Sequence, residues 1–370
     1  MVPRKNLLKN VKRVVVKIGT SIITENGTIS TNRISTLVHD IVAVIRRGYE
    51  VVVVSSGSIS SGAGALKRDR EGLTIPEKQA MAAVGQIILM NEYRKCFQWE
   101  GLEVGQILLT EDDVNNRRRF LNARHTLNTL LGLGVVPVVN ENDSVVVKEI
   151  KFGDNDTLSA HVANIVEADL LILLSDVNGF YRDLSDPEPV EEIFDIDDEV
   201  KRQAGGSGTV HGTGGMATKI RAAEITIRCG EKMIIANGRD ENVLSRIVDG
   251  EKIGTIFVGR DQSLGSRKRW IAFSMRNSGK IQIDDGALRA LRDNKKSLLP
   301  SGITDVSGKF DLGDAVEIVD GNDHPVGKGI VNYDVHELRL IMGKKTKEIR
   351  NILGGTYFDE VINRDDLIMY

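Results

Sequence analysis

The sequence predicts an α/β protein, an open and mainly parallel sheet sandwiched by helices, followed by a small β-rich domain. Three observations carry this. From Arg13 to about Gly259, short Val/Ile/Leu runs alternate with long helical periodicities, the pattern of strands joined by helical crossovers. After Gly259 the texture shifts to short alternating segments, such as Ala315 to Val319 and Gly329 to Asn332, broken by Gly and Asp turns. The 370-residue length gives room for two or three domains, and 41% hydrophobic with 27% charged residues is ordinary globular composition.

Taken in order, the strands are Arg13 to Ile18, Glu50 to Val54, Glu103 to Leu109, Val135 to Val139, Asp169 to Leu174, Lys232 to Ala236 and Thr255 to Val258. A hairpin follows the first strand, because Asn26-Gly27 separates Ser21 to Thr24 from Thr28 to Ser30. Ile34, Leu37, Val38, Ile41, Val42 and Ile45 form one helical stripe, and Gly48 stops it. Pro76 opens a second helix running to Trp99. Arg260 to Arg276 holds five basic residues against Asp261 and reads as a connector, which divides the chain into 1–260, a basic linker 261–278 and a small domain 279–370.

Charge and cysteines narrow the function. A net charge of -3 disfavours wholesale nucleic-acid binding. Cys96 and Cys229 lack metal-ligand spacing, which fits a reduced, cytoplasmic setting. No apolar run approaches the ~20 residues of a membrane span.

Ligands of open parallel sheets bind beyond the carboxyl ends of the strands, so the residues after each strand are the informative ones. They are Lys17-Ile18-Gly19-Thr20-Ser21, Ser55-Ser56-Gly57-Ser58, Asn140-Glu141-Asn142-Asp143 and Ser175-Asp176. A second acid-and-amide cluster, Gly153-Asp154-Asn155-Asp156, opens a helix whose apolar positions are Leu158, Val162, Ile165 and Val166. Any one of these residues alone is explained by turn and cap chemistry. Their clustering asks for more, since converging carboxylates repel one another unless cations join them. Gly212-Thr213-Gly214-Gly215-Met216-Ala217-Thr218-Lys219 runs into another helix, whose start suits phosphate. It is not a Walker A loop, and it matches the relaxed dinucleotide pattern without the strand that pattern needs before it. A flexible surface loop is the competing reading. His125, His161 and His211 receive no role.

Together, Lys17-x-Gly19, Ser55-Ser56-Gly57, Asn140 to Asp143, Phe152 to Ser159 and Gly212 to Lys219 resemble the glutamate 5-kinases of the amino acid kinase superfamily. The segment from Gly279, with Ser301-Gly302-Ile303 and Val331-Asn332-Tyr333, resembles a PUA domain. The resemblance implies ATP-dependent phosphorylation of the L-glutamate γ-carboxylate, the first step of proline synthesis, with Mg²⁺ arriving on ATP. It implies that Lys17 and Lys219 flank the transferring group while Asp156 orients both. Ser56, Gly57, Asn140, Asp143 and Asn155 would hold glutamate. Lys17, Ser175, Asp176 and the run Thr213, Gly214, Gly215, Met216, Ala217, Thr218 and Lys219 would hold the nucleotide. Acetylglutamate kinase and aspartokinase share the fold, but Asp143 argues for a substrate with a free ammonium. The resemblance also implies inhibition by L-proline and a homo-oligomer, dimer or tetramer, with Ser144 to Phe152 as a hairpin lid. Residues 279–370 carry 13 Lys and Arg against 16 Asp and Glu, which favours a stabilising or regulatory module over RNA binding, despite Lys344, Lys345 and Lys347.

Overall fold

The computed structural model describes residues 3–25, 27–69, 72–145, 154–183, 185–205, 215–259, 271, 275, 277–354 and 358–370. The chain divides into two compact units, Met1–Ser263 and Leu264–Tyr370.

The first unit is built on strands β1 (Arg13–Ile18), β2 (Thr24–Glu25), β3 (Thr28–Ile29), β4 (Glu50–Ser55), β5 (Val104–Leu109), β6 (Val136–Glu141), β7 (Leu170–Ser175), β8 (Glu192–Ile193), β9 (Lys232–Asn237) and β10 (Thr255–Val258). All except β2 and β3 form one sheet in the order β5-β6-β4-β1-β7-β9-β10-β8. The first six in that order, β5, β6, β4, β1, β7 and β9, run parallel; β10 joins antiparallel to β9, and β8 runs parallel to β10. The seven strands expected from sequence are all present, because continuous Val/Ile/Leu runs are what a sheet covered on both faces requires. The two-residue edge strand β8 was missed; two residues carry no periodicity.

Alternate residues of the central strands point to opposite faces. Val14, Val16, Ile18, Val51 and Val53 pack with Ile34, Val38 and Ile41 of the helix Thr31–Arg46 and with Leu89, Tyr93 and Phe97 of the helix Ile75–Trp99. The intervening Val15, Val52, Val54, Leu171 and Leu173 are fully buried on the other face, where the helices Arg117–Gly132, Asn155–Val166 and Met216–Arg228 lie. Ser30 caps the first helix, and Gly48, at φ +92°, ends its exit turn as expected. Thr74 and Glu77 form a capping box at the start of Ile75–Trp99 with Pro76 in its first turn. That helix lies directly against Ser58–Ala65: a Cβ on Gly85 would sit 1.8 Å from the Ser58 carbonyl, so only glycine permits the approach. The hairpin after β1 is formed by β2 and β3, although Thr20–Ile23, assigned partly to its first strand, is a helical turn.

The second unit holds β11 (Asn277–Ile283), β12 (Ile303–Gly308), β13 (Ala315–Val319), β14 (Pro325–Ile330) and β15 (Leu367–Met369) in one sheet ordered β12-β11-β13-β14-β15. Only the β11–β13 pair is parallel. Its core is separate, made by residues such as Ile281, Val316, Ile318, Val331, Leu338 and Ile362. Most of the stretch read as a basic linker lies outside the described residues, and its last two, Asn277 and Ser278, belong to β11.

Candidate active site

The carboxyl ends of β1, β4, β6 and β7 and the starts of two helices meet at one place, and the described residues singled out from sequence stand on these elements. Asp156 is its centre. It lies in the first turn of Asn155–Val166, 1% exposed. Lys17, the penultimate residue of β1, brings Nζ to 2.5 Å from Asp156 Oδ1. Lys219, in the first turn of Met216–Arg228, brings Nζ to 3.1 Å from Oδ2, to which Thr218 Oγ1 donates at 3.0 Å. Both lysines are buried. Burial alone pushes the Asp156 carboxyl up, but the charges and hydrogen bonds of Lys17 and Lys219 outweigh it and hold the group at about 2. The carboxylate is therefore a fixed anion and no proton carrier.

Local sequence explains the placement. Asp154 caps the helix by accepting the Thr157 N–H at 2.8 Å, which sets the first turn and turns Asp156 inward. Burial and the neighbouring Asp156 raise the Asp154 carboxyl, so the two clustered acids have opposite fates. Gly19 follows β1 where a Cβ would meet the Leu174 carbonyl at 3.2 Å and approach Lys17 Nζ, so the bare backbone clears the lysine. Gly57 sits at φ +109°, left-handed backbone that bends the chain from β4 into Ser58–Ala65.

Around this centre lies a ring of amides. Asn155 Nδ2 donates to the Ser55 carbonyl at 3.0 Å, to Ser56 Oγ at 3.0 Å and to Asn140 Oδ1 at 2.9 Å. The two acid-and-amide clusters thus touch through Asn140 and Asn155. Asn140 does not follow β6, as the sequence reading had it, but lies within it: the strand continues through Glu141, in register with Leu108 and Leu109 of β5. The strand pairing overrode the turn preference of Asn. Asp143 stands beyond the strand and accepts from Ser58 Oγ at 3.3 Å. On the other side, Ser175 ends β7 and its Oγ donates to Asp176 at 3.1 Å. Gly215 opens the helix that holds Met216, Ala217, Thr218 and Lys219 in its first turn. Thr213, Gly214 and the lid residues 146–152 lie outside the described residues.

Sequence reasoning missed two members of this neighbourhood. Gln86 Oε1 accepts from Asn140 Nδ2 at 2.8 Å, and Tyr93 OH bonds Ser55 Oγ at 2.9 Å. Both stand on Ile75–Trp99, which the sequence marks only as a helix opened by Pro76. His161 is core: burial and nearby Arg221 push it down to about 4, so it stays neutral.

The arrangement presents two ammonium groups spaced by one carboxylate, a helix N-terminus behind them, and an amide-and-acid pocket beside them. It can neutralise a transferring phosphoryl group while holding a small zwitterion. Comparison with known proteins identifies the family. The amino acid kinase family profile matches residues 12–237, and the PUA domain profile matches residues 279–353. A glutamate 5-kinase of Syntrophotalea carbinolica is 49% identical over 370 residues, covering 99% of each chain. One from Thermoanaerobacter pseudethanolicus is 48% identical, covering 96% of this chain and 97% of its own. Giardia carbamate kinase superposes with a TM-score of 0.50 at 17% identity, covering 68% of this chain and all of that one, which speaks to the fold alone. The chain belongs to the amino acid kinase family, grouping there with the glutamate 5-kinases, and carries a PUA domain after its kinase domain.

Proposed function

We propose that the chain transfers the γ-phosphoryl group of ATP to the side-chain carboxylate of L-glutamate, giving γ-glutamyl phosphate, the first step of proline synthesis. The observation that carries this reading is the buried Lys17–Asp156–Lys219 arrangement at the strand ends. A glutamate side chain titrates near pH ~4.3, so the nucleophile is already ionised and no general base is needed. Catalysis then reduces to alignment and charge neutralisation.

In this reading Lys17 and Lys219 lie on opposite sides of the phosphoryl group, and Asp156 keeps them apart and aimed. Asp143 and Asn140 lie near the ammonium end of glutamate, with Ser56, Gly57 and Asn155 completing the pocket. Ser175, Asp176 and the segment Thr213 to Lys219 take the nucleotide. Both Asp156 oxygens are engaged by lysines, so the donor set fits a divalent cation that arrives on the phosphates and keeps its waters. Mg²⁺ is the ion proposed, and when bound it supplies further charge neutralisation on phosphate oxygens. The kinase domain is taken as 1–260 and the C-terminal domain as 279–370. Cytoplasmic location, a dimer or tetramer, and inhibition by L-proline complete the reading.

Purified protein given Mg-ATP, L-glutamate and hydroxylamine is expected to form the γ-glutamyl hydroxamate. Absence of hydroxamate with glutamate, or equal yield with N-acetylglutamate or aspartate, refutes the assignment. Titrating L-proline into the same assay and weighing the particle in solution test the remaining two points.

A further inference from the structure

The amides beside the site form a chain whose direction the backbone dictates. Oxygen and nitrogen of a carboxamide are told apart by their partners, and here the anchors are unambiguous. The Ser55 carbonyl only accepts, so the Asn155 atom 3.0 Å from it is Nδ2. The Glu141 N–H only donates, so the Asn140 atom 2.9 Å from it is Oδ1. Asn155 Nδ2 therefore donates to Asn140 Oδ1, and Asn140 turns its own Nδ2 to Gln86 Oε1 at 2.8 Å. Gln86 belongs to none of the motifs at the strand ends; it comes from the helix Ile75–Trp99. Its Nε2 is buried without a hydrogen-bond partner among the described residues. An orphaned buried donor weakens the case for Gln86 as a stabilising residue, because methionine fills similar space without one. What its carboxamide does supply is an acceptor for Asn140.

We propose that Gln86 is a positioning residue for the amino acid substrate. By accepting from Asn140 Nδ2 it holds the Asn140 carboxamide in place against Asn155, whose direction the Ser55 carbonyl sets, so that Asn155 Oδ1, an acceptor, stays aimed at the substrate's ammonium. This rests on the reading of the site as a glutamate kinase centre. Asp143, bound by Ser58 Oγ, supplies the negative charge of that subsite. A carboxamide oxygen adds a directed acceptor without adding another carboxylate. A displaced Asn155 would carry its acceptor away from the cation, so the hold on Asn140 governs glutamate affinity and leaves phosphoryl transfer alone. Gln86 also lines, with Ser58, Asp143 and Gln106, a cavity of about 290 Å³, which places it at the wall of the same neighbourhood.

The test is Gln86→Met in the full chain, read by the hydroxamate assay and by thermal melting. The KM for glutamate is expected to rise about 2- to 10-fold, the range of one lost hydrogen bond. The KM for ATP and kcat should stay within about two-fold, and Tm within about 2 °C, because the substitution exchanges one orphaned donor for another. Gln86→Glu keeps an acceptor for Asn140 and is expected to lie nearer wild type in glutamate KM than Gln86→Met. An unchanged glutamate KM in Gln86→Met, parallel rises for glutamate and ATP with a fall in Tm, or equal impairment in Gln86→Glu each overturns the proposal. Wild-type protein that makes no hydroxamate removes the kinase reading and this inference with it. Wild-type turnover with an unmoved Gln86→Met removes Gln86's role alone.

Discussion

Asp156 and Lys328 are charged side chains withdrawn from water, one in each unit, and their surroundings differ. Burial pushes the Asp156 carboxyl up, but two ammonium groups overturn that effect and hold it at about 2. Burial pushes the Lys328 ammonium down to about 8, and the charge of Glu317, opposite it in the β13–β14 register, offsets only part. Lys328 Nζ donates to the Met275 carbonyl, a neutral acceptor. A buried ion needs opposite charge and hydrogen bonds together to stay charged; a dipole and one half-buried carboxylate leave it readier to lose its proton. The first arrangement fixes a permanent charge between two buried lysines, and the second ties a strand to the chain segment before β11.

The contrast is broken most forcefully at Asp156. Asp156→Asn leaves Lys17 and Lys219 as two buried like charges, so the kinase unit should lose about 3–5 kcal/mol of stability, read by urea unfolding, together with nearly all hydroxamate formation. Retention of both would mean that the two lysines do not depend on Asp156. Lys219→Ala is next. It removes one of the two cations that the proposed function sets beside the phosphoryl group, and kcat should fall about 10²- to 10³-fold with little change in the KM for glutamate. Equal effects on kcat and KM contradict the role assigned to it. Asp143→Ala should do the reverse, raising the KM for glutamate about ten-fold while kcat moves little, as expected for loss of one charged contact to the ammonium.

Lys328→Met sharpens the other half. Replacing a half-compensated buried charge by an apolar chain of similar length should leave the C-terminal unit as stable at pH 7 or more stable by about 1 kcal/mol, with hydroxamate turnover unchanged. A loss above about 2 kcal/mol would show that the bond to Met275 dominates. The pH dependences have opposite placements. Asp156 has a folded value of about 2 below its ordinary 3.8, so its contribution is complete above 3.8 and disappears as pH falls through about 2. Lys328 has a folded value of about 8 below its ordinary 10.5, so the unfolded chain binds more protons between them and stability rises as pH rises across that window. Lys328→Met should abolish the alkaline rise and leave the acid limb intact.

Much of this was legible in the residues. The seven main strands announced themselves as apolar runs, and an Asp or Asn cap on the helix Asn155–Val166, the Thr31–Arg46 helix and the glycine stop at Gly48 came from local rules that need no distant partner. Local rules failed at Asn140 and Glu141, where pairing with β5 extended a strand through residues that favour turns. They also gave no hint of Gly62 and Gly85. Those glycines bring two helix backbones into contact, and their role depends on a neighbour that composition does not name.

The residue types of the site, their order along the chain and the class of chemistry they suit were determined by sequence, because strand-end loops and helix starts are local features. Tertiary structure alone decided that Asp156 stands between Lys17 and Lys219, residues 139 positions before it and 63 after, and that Asn140 touches Asn155 and Gln86. The reason is physical. A carboxylate's neighbours and the direction of an amide depend on distances and burial across the sheet, and those quantities exist only once β1, β4, β6 and three helices have packed together.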